Sequence, residues 1–226
     1  GHALWMVLAG LVSVADWIAS NETFFVCDSA THNLEAYAEK SRHEAHKALN
    51  RLAWGQWHPP KEPATLSTLF AAIREHGPRP VQSAIAEVST ELRSPGLVII
   101  EVPTGEGKTE AAMFLADHWA AQLGQRGCYF ALPTQATSNQ MFSRVREFLD
   151  GRCHDEHVNM LLLHGHAALS AEFQELRDNA DELFSPEQVE QDAADDGTGS
   201  TVLAAEWFTH RKRGLLAPFG VGTVDQ

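Results

Sequence analysis

Apolar and polar positions follow two different patterns along this chain. Residues 3–15, ALWMVLAGLVSVA, are apolar for 13 residues and end at Asp16. The run predicts a helix over 3–18, buried as a core element, with Ser20 and Asn21 as its stop signals. Residues 34–53, LEAYAEKSRHEAHKALNRLA, interleave Ala and Leu with Glu, Lys and Arg, which predicts an exposed amphipathic helix. WGQWHPPKEPATLS follows, and its three prolines forbid a regular element and mark a domain boundary. Beyond it, short continuous apolar runs alternate with helical segments. LVIIEV (97–102), CYFAL (128–132) and VNMLLL (158–163) predict strands, with helices over 110–123 and 138–149 and a fourth strand near 220–224. Apolar runs of this length, separated by helices, predict a parallel sheet covered on both faces.

The first of these strands leads into Pro103-Thr104-Gly105-Glu106-Gly107-Lys108-Thr109, and a helix starts at once. Gly105 and Gly107 let the backbone curl and aim its N–H groups at phosphate oxygens. The positive end of the following helix adds to the attraction for an anion. Thr104, Gly105, Glu106, Gly107, Lys108 and Thr109 are therefore expected to hold a nucleoside triphosphate. Lys108 would neutralise the β and γ phosphates, and the Thr109 hydroxyl would hold Mg²⁺. The strict phosphate-loop pattern wants glycine at position 102, where this chain has Val102.

Composition changes this picture little. Apolar residues make up 44% and charged residues 21% of the 226, as in an ordinary globular protein. Cys27, Cys128 and Cys153 form no CxxC pair, which favours a reducing, cytoplasmic setting and argues against a cysteine-ligated zinc. The apolar run at the start falls short of the roughly 20 residues a membrane span needs, so no membrane partner is expected. The net charge of −13 is mostly local, because residues 172–196 hold ten acids and Arg177 as their one base. Such a block reads as a solvated surface and leaves a nucleic-acid groove elsewhere open. The one dense basic cluster is His210-Arg211-Lys212-Arg213, either a contact for DNA phosphates or a charged helix face. His43 and His46 read as a solvated helix face. His164 and His166, in LLLHGHAAL, follow a strand where functional loops gather, and read as structural or DNA-proximal.

Here the motifs resemble a family. PTGEGKT, with its leading Pro-Thr and relaxed first glycine, resembles the phosphate loop of superfamily 2 helicases. GPRPVQ (77–82) resembles the helicase Q motif, which implies that Gln82 reads the adenine edge and that the nucleotide is ATP. LPTQATSN resembles motif Ia, which implies strand contacts for Pro133, Thr134, Gln135, Thr137 and Asn139. GVGTVDQ resembles a later strand-contacting motif and implies the same for Gly222 and Thr223. Read alone, Ser, Thr and Asn at such positions are also ordinary helix caps. Together with ADWIASN upstream, the set is similar to the CRISPR-associated helicase–nucleases of type I systems.

The resemblance implies an α/β fold: an incomplete RecA-like parallel sheet, the P-loop NTPase lobe, preceded by a helical segment from the end of an HD domain. The expected division is 1–26 for the end of the HD nuclease domain, 27–65 for a helical connector and Pro-rich linker, and 66–226 for the first RecA-like lobe. It implies Asp16 as a ligand of the nuclease's divalent transition metal, ATP and Mg²⁺ as cofactors, and single-stranded DNA and an RNA-guided surveillance complex as partners. The chain opens without an initiator methionine, directly into its apolar helix, and shows no DExH motif after the third predicted strand. It therefore reads as a fragment that is inactive alone. Two alternatives stay open: another superfamily 2 helicase or restriction-type translocase, and a non-catalytic nucleotide-binding module.

Overall fold

The apolar run becomes α1, His2–Ala19, one turn longer than its uninterrupted apolar stretch. The computed structural model describes residues 2–25, 33–55, 57–153, 156–183, 202–210 and 212–225. Cys27, the acidic stretch from 184 to 196 and Arg211 lie outside the described residues. Two units divide the chain, 1–55 and 56–226.

In the first unit, α1 corrects the expectation of a buried helix, for none of its residues is buried. Trp5 and Met6 are 70% and 76% exposed. An apolar helix buries itself only against another apolar face, and α2, Leu34–Arg51, is polar over most of its surface. The length expectation also shifts, because α1 has 18 residues and a mean hydropathy of 1.5, enough by length and composition to cross a membrane. After α1 the chain turns at Ser20 and Asn21, whose N–H groups donate to the carbonyls of Asp16 and Ile18. The Asn33 side chain caps α2 by accepting the Glu35 N–H. At the other end, Arg51 lies over the Phe24 ring, 5.5 Å from its centroid.

The second unit is built on a parallel sheet of four strands: β1 (Cys128–Leu132), β2 (Val158–Leu163), β3 (Val202–Leu203) and β4 (Phe219–Thr223). Their order across the sheet is β1-β4-β2-β3. Between the Pro-rich connector and the phosphate loop come α3 (Leu66–Leu69), α4 (Ala71–His76) and α5 (Pro80–Ser89). Further helices are α6 (Lys108–Leu123), α7 (Gln135–Arg152), α8 (Ala171–Leu183) and α9 (Glu206–Thr209). Phe142, Val145 and Leu149 recur at helical spacing along α7 and are at most 1% exposed. Burying each stabilises the fold by about 1.5–3 kcal/mol. β2 is buried along almost its whole length, and its one polar side chain, Asn159, accepts the Ala205 N–H at 2.9 Å.

The expected strand at 97–102 does not form a ladder. Val98 and Ile100 turn toward the core cluster of Leu66, Ile73, Ile85, Ala111, Phe114 and Leu115, while Leu97 and Ile99 are 87% and 75% exposed. That is the alternation of a half-buried extended segment, and among the described residues no strand lies beside it to take its backbone hydrogen bonds.

Side chains hold the Pro-rich segment at several points, and the His58 N–H donates to Glu156 Oε2 at 2.8 Å. Asp117 of α6, 7% exposed, accepts from Arg152 Nε at 2.7 Å and from the Ala64 N–H at 3.3 Å. Arg152 also donates to the Glu62 carbonyl at 3.0 Å. Asp117 is buried and Arg152 partly exposed, and together they join α6 and α7 to the backbone at Glu62 and Ala64.

Candidate functional site

The phosphate loop takes its shape from two glycines in the left-handed region, Gly105 at φ +90° and Gly107 at φ +86°. A Cβ on Gly107 would collide with the side-chain amide of Gln82, which would have to shift. α6 begins at Lys108, which aims its unsatisfied N–H groups and positive end at the loop. Lys108 Nζ donates to the carbonyls of Val102 at 2.6 Å and Pro103 at 2.9 Å. The ammonium thus lies folded over the loop, on acceptors that a phosphate oxygen can replace. The Thr109 hydroxyl accepts from the Arg144 guanidinium of α7 at 3.1 Å, and Arg144 also pairs closely with Glu110.

Gln82 lies beside this loop and is 3% exposed. Its Oε1 accepts the Arg79 N–H at 2.8 Å and its Nε2 donates to the Gly107 carbonyl at 3.5 Å. Arg79 faces Glu106 across the loop mouth at 3.6 Å. The acidic side chain of Glu106 is therefore turned to a cation, and its backbone is the part suited to an anion. Arg79, Gln82, Gly105, Gly107, Lys108 and Thr109 line a cleft of about 600 Å³, together with Phe70, Ile73, Met113 and Arg144. Its size and mixed lining suit a nucleotide. The glycine cradle, the aligned helix end and the folded lysine fit a triphosphate. Thr109 fits one place in the shell of Mg²⁺, which takes most of its oxygens from phosphates and water.

The residues expected at a nucleic-acid strand gather at the carboxyl edge of the sheet, where Leu132 is paired with Thr223 and Leu163 with Gly222. Pro133, Thr134, Gln135, Thr137 and Asn139 are exposed there. The hydroxyls of Thr134 and Thr137 are engaged as a reciprocal cap, since Thr134 Oγ1 accepts the Thr137 N–H at 3.2 Å. The first N–H groups of α7 are the donors this cap leaves for an anion. Gly222 and Thr223 instead lie inside β4, with Thr223 only 8% exposed. A Cβ on Gly222 would run into the Leu163 carbonyl, so that glycine serves the close approach of two strands.

His164 and His166 join the same edge. Because the His166 N–H donates to His164 Nδ1 at 3.2 Å, the neutral His164 ring carries its proton on Nε2 and donates it to Asn139 Oδ1 at 2.8 Å. His166 Nδ1 meets Gln135 Oε1 at 2.8 Å. Burial, and secondarily the neighbouring His166, lowers the pKa of His164 below 6.5. The unfolded chain then takes up a proton that the folded one resists. Stability contributed here is complete above pH 6.5 and is lost as pH falls from there through the folded value. Thermal unfolding of His164→Gln should lose part of the wild-type's acid sensitivity below pH 6.5. An unchanged pH profile would contradict this role.

Asp16 is exposed on α1 rather than buried. Among the described residues no group of three or more His, Cys, Asp and Glu side chains is placed to hold a metal. His43 and His46 are exposed on α2. One carboxylate does not make a metal centre, so the described residues alone do not fit the expected nuclease metal. In the basic cluster, Arg213 lies over Trp207, 4.7 Å from the ring centroid. Sequence reading did not single out Arg144, whose approach to Thr109 depends on α6 and α7 lying side by side.

Comparison with known proteins identifies the fold and the family. Residues 79–194 match the model for DEAD/DEAH box helicases, and residues 2–25 match the Cas3 HD domain. The CRISPR-associated endonuclease/helicase Cas3 of Thermus thermophilus is 37% identical over 100% of this chain and 23% of its own length. The CRISPR-associated nuclease/helicase Cas3 of Streptococcus thermophilus is 33% identical over 98% of this chain and 23% of its own length. The crystal structure of T. fusca Cas3 with ADP superposes with a TM-score of 0.72 at 32% identity, covering 96% of this chain and 22% of that one. The chain thus spans about a quarter of the length of these relatives. The expected RecA-like α/β lobe with a helical segment before it is the fold found. The chain belongs to the DEAD/DEAH box helicase family, and its likeness to the CRISPR-associated Cas3 helicase–nucleases extends over its whole length.

Proposed function

We propose that this chain is the ATP-binding part of a CRISPR-associated helicase–nuclease that moves along single-stranded DNA. Residues 66–226 form its first RecA-like lobe, 27–65 the connector, and 1–26 the end of an HD nuclease domain. The observation that carries the reading is the loop at Gly105 and Gly107 with Lys108 folded over it, set in a cleft beside Gln82. Gln82, Thr104, Gly105, Glu106, Gly107, Lys108 and Thr109 hold Mg²⁺·ATP. Pro133, Thr134, Gln135, Thr137 and Asn139 meet the strand, and Gly222 and Thr223 shape the sheet edge behind them.

Bound ATP supplies the hydrolysis energy that translocation uses. The residues of this chain bind and orient it: backbone N–H groups take the phosphates, Lys108 balances their charge, and the buried Gln82 reads the base. Asp16 contributes one ligand to a divalent transition metal completed by residues outside this chain. In this reading α1 is a helix of a globular nuclease domain in a cytoplasmic enzyme recruited by an RNA-guided surveillance complex. The match of residues 2–25 to an HD domain supports that placement of the apolar helix.

The test is strand displacement by the intact enzyme on duplexes with single-stranded DNA or RNA tails. ATP should drive displacement of DNA-tailed duplexes, and a non-hydrolysable analogue should not. Displacement confined to RNA, or none on either, would overturn the proposal.

A further inference from the structure

We propose that Arg144 couples the nucleotide cleft to the strand-binding edge through α7, an inference that rests on the functional reading above. α7 has 18 residues and so is about 27 Å long. Its first turns carry Gln135 and Asn139, held by His166 and His164, each at 2.8 Å. Farther along the same helix, Arg144 donates to the Thr109 hydroxyl at 3.1 Å and pairs with Glu110. Phe142 between those two places, and Val145 and Leu149 beyond Arg144, are at most 1% exposed and hold the helix in the core. The helix therefore moves as one piece or not at all.

Thr109 is the residue suited to Mg²⁺, and a guanidinium on the same oxygen would stand beside a doubly charged cation. A Mg²⁺ held by the Thr109 oxygen would displace the Arg144 guanidinium from it, because like charges at that range repel, and would leave Glu110 as the partner of Arg144. The released guanidinium faces the cleft that takes the phosphates, and its planar fork suits their oxygens. Two arrangements of Arg144 thus accompany the empty and loaded loop, and both bear on the helix that presents Gln135 and Asn139. Arg146 lies on the same helix but pairs with Glu175 at 2.8 Å on α8, away from the loop.

The experiment measures, in the intact enzyme, the affinity of a fluorescent non-hydrolysable ATP analogue with Mg²⁺, with and without an oligo-dT strand. Binding of the two ligands is expected to be mutually favourable by about tenfold, within the usual range for such coupling. Arg144→Ala should bring that factor to within about twofold of one, and Arg146→Ala should leave it in place. Arg144→Lys, which keeps the charge without the fork, should fall between. Full coupling in Arg144→Ala, or no coupling in the wild type, overturns the inference. If Arg144→Ala binds neither ligand, Arg144→Lys decides: reduced coupling supports the inference and full coupling refutes it. A wild-type enzyme that binds no analogue at all refutes the functional reading instead.

Discussion

Replacing Lys108 by alanine in the intact enzyme should abolish DNA-stimulated ATP hydrolysis, lowering turnover by at least about a hundredfold. The magnitude follows from removing one preorganised cationic donor from the phosphates, which costs on the order of 10²–10³ in rate. The ammonium is already in place, held at 2.6 Å and 2.9 Å by the carbonyls of Val102 and Pro103. Alanine is the best helix former, so the start of α6 at this position tolerates it. The defect should therefore appear in phosphate release and not in thermal unfolding. Lys108→Arg keeps the charge but carries a bulkier planar head, so it should not restore full turnover. Wild-type phosphate release from Lys108→Ala would remove the phosphate-loop assignment and with it the ATP reading.

The loop was readable in the sequence because its chemistry is local. Two glycines, a lysine and a threonine within five positions set the backbone, the charge and a hydroxyl oxygen together. β1, β2 and β4 were readable for a related reason, since short apolar runs between helices have few other uses. Residues 97–102 have the same composition but lack a neighbouring strand among the described residues, and pairing is a property of two segments. The burial of α1 failed in the same way. An apolar surface states that a partner is needed, and α2 does not supply one. Arg144 shows the opposite limit. An arginine in a polar helix is ordinary until Asp117–Arg152 and the core residues of α7 bring it beside Thr109.

Gly222 and Thr223 separate motif from contact. Resemblance placed them at the DNA, while β4 buries them, with Gly222 against the Leu163 carbonyl and the Thr223 carbonyl accepting from Tyr129 OH at 3.0 Å. A sequence motif at a strand end marks residues that shape an edge as well as those that present a side chain from it. The exposed neighbours Gln135 and Asn139, fixed by two histidines, are better placed to meet a ligand.

Asp16→Ala in the intact enzyme should lower metal-dependent nicking of single-stranded DNA by at least about a hundredfold while ATP hydrolysis persists. Residues that merely orient metal ligands cost about 10–100-fold when removed, and a ligand itself costs at least as much. Persistence of ATP hydrolysis is expected because Asp16 belongs to the unit 1–55 and Lys108 to the unit 56–226. The substitution is mild for the helix, since the turn that follows uses the Asp16 carbonyl, which alanine keeps, to accept the Ser20 N–H at 2.9 Å. ATP hydrolysis measured on the same preparation reports whether the helicase part remains folded, and metal content measured after dialysis reports the ligand role directly. A metal ligand predicts that nicking and bound metal fall together. A structural aspartate predicts lost stability with the metal retained. Nicking at the wild-type rate, with full metal content, would remove Asp16 from the nuclease and leave residues 2–25 as a helical segment without a chemical role.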